Sequence, residues 1–181
     1  MNASDIGGIY IQSSYIEQII SIVEQLPEDK VLEVLTVAES IKMRVDFLQN
    51  LINKGVQLEE LFGQEQALKE NWVSTFTGHL GEDIKAKIYF DQFFWHAFSY
   101  KKINCLENEA AAQAFNETDK KTCYIFYQNW GLQYKLENAS EIIAADFDNE
   151  QDVYIVDEDF TWTYIHTHES PLCGPYYYNF S

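Results

Sequence analysis

Three side chains near the C-terminus, His166, His168 and Glu169, have the types and spacing that could do chemistry. Residues two apart on a strand share a face, so this H-x-H pair would turn both imidazoles to one side, where they could share a metal. His79 or His96 could supply a third ligand. Such a cluster would support metal-assisted hydrolysis by His166, His168 and Glu169. The same strand face carries Trp162 and Tyr164, and reads equally well as an aromatic surface with a histidine at its edge. A second group is acidic: Asp146, Asp148, Glu150, Asp152 and Asp157 fall at positions 1, 3, 5, 7 and 12 of a calcium-loop spacing. Gln151 stands where the sharp turn needs glycine, Asp157 is shorter than the bidentate glutamate, and strand-like sequence follows, so calcium binding is not expected. Cys105 or Cys123 could act as a nucleophile with His96, but neither sits in a thiol-enzyme signature, and Cys123 lies in an apolar run. The glycine-rich phosphate loops and the G-x-S-x-G elbow are absent. No cofactor is expected, and residue chemistry alone names no reaction.

Charge says more. The chain of 181 residues carries a formal net charge of −17, and residues 137–181 hold 10 acids and no lysine or arginine. Seven of those acids, Asp146, Asp148, Glu150, Asp152, Asp157, Glu158 and Asp159, lie among apolar strand-like runs, which predicts a folded acidic face rather than a disordered tail. Such a face repels phosphate backbones and steers cationic partners, so nucleic-acid binding is not expected. With 46% hydrophobic residues the chain can build a core. No run approaches the ~18 apolar residues of a membrane span, and the first residues, MNASDIGG, lack a leader pattern. A soluble cytoplasmic protein is expected.

These residues must be positioned by elements that the apolar spacing predicts. Ser14 and Glu17 form a capping-box pattern ahead of a helix over 15–26, and Pro27, Glu28 and Asp29 open a second helix that runs to Gly55. This hairpin has an apolar face too wide to stay in water, so it packs on the rest of the chain or on another copy. Beyond it come an extended piece at 56–58, helices near 64–80 and 82–90, and an aromatic strand at 93–100. A helix at 107–115, strands at 122–128 and 131–136, and a short helix at 140–145 follow. A hairpin of 152–156 with 161–166, closed by Asp157, Glu158 and Asp159, comes next, and Tyr176 to Tyr178 form a terminal strand or turn. The predicted fold is α+β: a mixed, mainly antiparallel sheet with flanking helices, preceded by an N-terminal helical hairpin. The seam is placed at Lys54–Gly55, giving a helical extension over 1–54 and an α+β domain over 55–181.

The strings IYFDQFFWHAFSY, TCYIFYQ, LENAS and DVYIVDEDFTWTYIHTHE, with the ending CGPYYY, resemble the bacterial domain-of-unknown-function family 4275 over about residues 55–178. The resemblance implies a small acidic intracellular protein, of a kind often similar to immunity proteins encoded beside secreted toxins, and it brings no catalytic residues. Separately, LPEDKVLEVLTVAESIKMR at Leu26–Arg44 resembles the leucine-rich helix of small antitoxin-like proteins. The leading expectation is an immunity or antitoxin protein that neutralises a basic toxin, such as a nuclease, by protein–protein binding. Asp146, Asp148, Glu150, Asp157, Glu158 and Asp159 would supply the charge, with Trp162 and Tyr164 as anchors. The alternatives are the His166/His168/Glu169 hydrolase and a non-enzymatic protein that forms a homodimer through residues 1–54.

Overall fold

The computed structural model describes residues 14–129 and 131–180. Residues 1–13, and Trp130 in the turn expected between two strands, lie outside the described residues. By its contacts the chain divides into two compact units, one ending at Asp46 and the other beginning at Phe47.

The first unit is helical. Helix α1 covers residues 14–23, a turn closed by the bonds from Glu24 N to Ile20 O and from Leu26 N to Val23 O follows, and α2 (Glu28–Asn53) begins directly after Pro27. The two acids of its first turn, Glu28 and Asp29, complement the positive end of the helix dipole.

The second unit is an antiparallel sheet of seven strands in the order β1-β4-β3-β5-β6-β7-β2. The strands are β1 (Gln57–Glu60), β2 (Leu106–Glu107), β3 (Thr122–Tyr127), β4 (Gln133–Glu137), β5 (Val153–Asp157), β6 (Trp162–His166) and β7 (Tyr176–Asn179). Four further helices, α3 (Glu65–Thr77), α4 (Glu82–Lys87), α5 (His96–Ser99) and α6 (Asn108–Glu117), join two 3-10 turns, Ala139–Glu141 and Ala144–Phe147. The fold is α+β.

The central strands read as continuous apolar runs because both of their faces are covered. Along β5 the side chains alternate between two cores: Val153 and Ile155 pack with Phe47, Leu51, Ala111, Phe115 and Phe147, while Tyr154 and Val156 pack with Leu68, Trp72, Phe76 and Phe98. Trp72 is fully buried and donates its Nε1 hydrogen to Thr163 Oγ1 at 2.9 Å, and that hydroxyl donates in turn to Ile155 O at 3.0 Å. The indole polar group is thereby satisfied inside the apolar layer. Helix α6 is closed by a buried cation. Lys120 donates to the carbonyls of Phe115 and Thr118, both at 2.7 Å, and of Asn116 at 3.3 Å. A positive charge there satisfies terminal carbonyls and matches the negative end of the helix.

Four expectations change. The aromatic run 93–100 is no strand; it holds the helical turn α5, which buries Trp95, Ala97 and Phe98 together and lets the Trp95 N–H donate to Tyr154 Oη at 3.1 Å. Aromatic content marks a half-buried surface, which a helical turn against this sheet supplies as well as a pleat does. The expected helix at 140–145 is two 3-10 turns, with Asn138 in the left-handed region at the head of the first. Strand β2, two residues long, was too short to carry a pattern. The seam lies between Asp46 and Phe47 rather than at Lys54–Gly55, because Phe47 and Leu51 on the last turns of α2 are core residues of the sheet unit.

Candidate functional site

The acidic residues singled out in the sequence do not form one face. Four of them, Asp146, Glu150, Asp152 and Asp157, are committed to the fold. Asp146 accepts from Lys54 Nζ at 2.6 Å, Asn50 Nδ2 at 2.9 Å and Ile143 N at 2.8 Å. Glu150 is buried and accepts from Tyr127 Oη at 2.5 Å. Asp157 accepts from the backbone N–H groups of Thr161 and Trp162 and from the Thr161 hydroxyl, so it builds the β5–β6 turn. Asp148, Glu158 and Asp159 remain exposed, with Asp148 just ahead of β5 and the other two beyond its far end. Five strand residues separate those ends by roughly 17 Å. Trp162 and Tyr164 are 5% and 1% exposed and belong to the core, so neither is a surface anchor.

The histidines part as well. His166 ends β6 on the α6 side, whereas His168 follows in the turn that starts after the strand, and its ring lies 5.0 Å from Phe93 and 5.9 Å from Trp95 on the opposite side. The period of two stops where the strand stops. His168 is held by Asp152, whose carboxylate accepts from its Nδ1 at 2.9 Å and from Trp95 Nε1 at 2.9 Å. Glu169 lies 3.8 Å from His168 Nε2. Among the described residues no group of three or more His, Cys, Asp or Glu is placed to hold a metal, and His166 and His168 do not form the shared site that strand spacing predicts. The calcium-loop carboxylates Asp146, Glu150, Asp152 and Asp157 each face different partners. Burial pushes the thiols of Cys105 and Cys123 up to about 12, which leaves both as thiols rather than nucleophilic thiolates.

What the fold does assemble is a pocket of about 560 Å³ between α6, the second 3-10 turn, the end of β6 and the segment 170–175. Its size is that of a ligand or side-chain site. Helix α6 contributes Asn108, Glu109, Ala112 and Asn116, which share one face by the three-and-four spacing of a helix. Ala112 is small and leaves the space open. Asn108, turned so that its amide nitrogen faces them, donates to the carbonyls of Gly174 at 2.7 Å and Pro171 at 3.2 Å, and its N–H donates to Pro175 O at 2.8 Å. Those bonds fix the far wall to the helix. Asn116 Oδ1 accepts from Ala144 N at 2.7 Å and ties down the 3-10 turn that carries Asp148 into the rim.

The floor holds Tyr164 and His166. His166 is 8% exposed, and its Nδ1 lies 3.0 Å from the Glu150 carbonyl. A carbonyl oxygen can only accept, so Nδ1 carries the hydrogen and Nε2 is the acceptor of the neutral ring. Burial lowers the His166 pKa, against the upward pull of the Glu150 carbonyl and of Asp148, Asp152 and Glu150. Burial likewise raises the Tyr164 phenol, helped by Asp148. The lining combines two carboxylates, Glu109 and Asp148, with a neutral imidazole acceptor, a phenol and two amides, and it includes no lysine or arginine. That chemistry accepts hydrogen bonds and positive charge.

A family model described as a domain of unknown function, DUF4275, matches residues 45–177. The chain belongs to the DUF4275 family. The match begins on the last turns of α2 and ends within β7, so the family's shared part covers nearly all of the unit that contains the pocket. No curated protein and no solved structure matches this DUF4275 chain.

Sequence reasoning missed Asn108 and Glu109, which it read only as part of the helix at 107–115, and Asn116, which fell just beyond that helix. The signal was present: polar residues at 109 and 116 flank a small Ala112 on one face, while Ala111 and Phe115 take the core face. Among the described residues no helix is long and apolar enough to cross a membrane.

Proposed function

We propose that this DUF4275 protein is a cytoplasmic binding protein of the immunity or antitoxin type, which neutralises a basic protein partner by taking one of its lysine or arginine side chains into the α6–β6 pocket. The observation that carries the reading is the pocket lining: Glu109, Asp148 and His166 are all part of it, and it includes no lysine or arginine to compensate the two carboxylates. A guanidinium, with five donors in a planar fork, suits this set of acceptors. The net charge of −17 adds a long-range field that speeds encounter with a cationic surface and repels nucleic acid. Nuclease toxins fit such a partner, because the surface that grips phosphates is basic and an acidic cover occupies it. Charge draws the partner in; the pocket fixes the register.

The test is to recover from the native bacterium, at low salt, what co-purifies with the tagged protein, and to delete this gene with its genomic neighbours left in place. The reading expects a basic protein that is released as salt rises, and a deletion that is harmful unless that partner is also removed. A silent deletion with no basic protein bound would overturn it.

A further inference from the structure

We propose that the helical hairpin of the first unit is a dimerisation module, whose occupant is the same hairpin of a second copy of this chain. The inference is independent of the pocket reading.

Apolar exposure in this unit is far beyond what an isolated surface tolerates. Twelve large apolar side chains between Tyr15 and Val45 are more than a third exposed, among them Ile19 at 57%, Leu35 at 51%, Val37 at 59%, Ile41 at 61% and Val45 at 58%. Scattered exposed leucines need no explanation, but a contiguous set on two adjoining helices does. The set is patterned. Val31, Val34, Ala38, Ile41 and Val45 recur at alternating spacings of three and four, which is the seam of a helix that packs along another helix. Ile19 of α1, Leu26 of the turn and Val34, Val37, Ala38 and Ile41 of α2, with the paired Lys30 and Glu33, line an open groove of about 570 Å³, in which the small Ala38 leaves room. A small residue in a groove lets a second backbone come close, and two hairpins laid groove to groove give a four-helix bundle.

Area and charge select the second copy. Leu32 and Met43 lie across α2 from Ile41 by helical spacing, which leaves ten of the twelve for one face; with about 100 Å² of apolar surface per fully buried aliphatic side chain, ten that start half-exposed offer roughly 500 Å² per copy and roughly 1,000 Å² per pair, about the least that a specific interface needs. A two-fold pairing buries the same patch on both chains, and no other molecule is needed to match it. The two lysines of the hairpin are already matched along their own helix, Lys30 by Glu33 and Lys42 by Asp46, so neither is left to hold an acidic partner. A membrane surface is the wrong occupant, because helices that lie on anionic lipid carry a lysine- and arginine-rich polar face, whereas residues 14–46 hold seven acids against three bases.

The experiment is sedimentation equilibrium on the full chain and on the double variant Val34→Asp/Ile41→Asp. The proposal expects a dimer in the micromolar range, and a variant whose dimer dissociation constant rises by about 100-fold or more, because each copy would bury two unpaired carboxylates. Near-UV circular dichroism from the sheet unit should not change. A wild-type chain that stays monomeric, or a variant that stays dimeric, would overturn the proposal. Should the variant lose its near-UV signal, isotope-filtered NMR on mixed labelled and unlabelled wild-type chains decides: intermolecular contacts from the Val34 and Ile41 methyl groups support the module, and their absence overturns it.

Discussion

Replacing Asp152 with alanine should be among the most damaging single changes in the sheet unit, even though the residue is hydrophilic and outside every strand. Its carboxylate accepts from Trp95 Nε1 at 2.9 Å, from His168 Nδ1 at 2.9 Å and from His168 N at 3.2 Å. Trp95 is 2% exposed, so its indole N–H cannot turn to water, and an orphaned buried donor costs about 1–3 kcal/mol. The His168 side chain is 33% exposed and rehydrates, so its bonds add about 1 kcal/mol. Asp152 also holds a backbone φ of 49°, a conformation that aspartate tolerates and alanine resists by about 1 kcal/mol. Asp152→Ala should therefore cost about 3–5 kcal/mol and lower Tm by about 10–15 °C for a unit of this size. Asp152→Asn keeps the backbone preference and one oxygen for Trp95, and should cost about 1 kcal/mol. Paired urea titrations of the two variants measure this directly. An alanine variant within about 1 kcal/mol of wild type would refute the claim that one carboxylate ties α5, β5 and the 167–172 turn together.

Other outcomes follow from the same geometry. Lys120→Met should destabilise the protein by about 1–3 kcal/mol in chemical denaturation, since the carbonyls that close α6 lose their donor while the methionine still fills the space. Trp72→Phe should cost about 2–3 kcal/mol by removing the buried bond to Thr163 and leaving a gap between α3 and the sheet; equal stability would contradict the packing. His166 should titrate by NMR below its ordinary value of 6.5, because burial disfavours its charged form. The unfolded chain then binds a proton that the folded chain refuses, so stability falls as pH drops from 6.5 toward the folded value, and His166→Gln should flatten the slope in that window.

Much of the fold could be read from local pattern, and the site could not. The hairpin of β5 and β6 was plain because β-branched and aromatic residues crowd both arms around an acidic turn, and α2 was plain from its apolar spacing. The run 93–100 misled because composition reports burial, not the backbone shape that achieves it. The acids misled for a longer-range reason. Asp146 meets Lys54 across 92 residues of sequence, and Glu150 meets Tyr127 across 23, so neither pairing leaves a local trace. The H-x-H pair looked like one site because the strand was assumed to continue through His168, and it ends at His166. Glu109 shows the converse. It sits in a bland helix, and becomes part of a site only when the 3-10 turn and the end of β6 are brought beside it.

The pocket reading is tested most directly by comparing retention of the basic partner recovered at low salt by three forms of the full chain. These are wild type, the pocket reversal Glu109→Lys/Asp148→Lys and the tip reversal Glu158→Lys/Asp159→Lys. Both reversals change the net charge by the same amount, and all four residues are exposed, so folding is preserved in each. If the pocket holds a basic side chain of the partner, the pocket reversal loses the complex at every salt concentration, while the tip reversal keeps it with a shallower salt dependence. Equal weakening by the two reversals would show that net charge alone attracts the partner, and retention by the pocket reversal would contradict the proposed site.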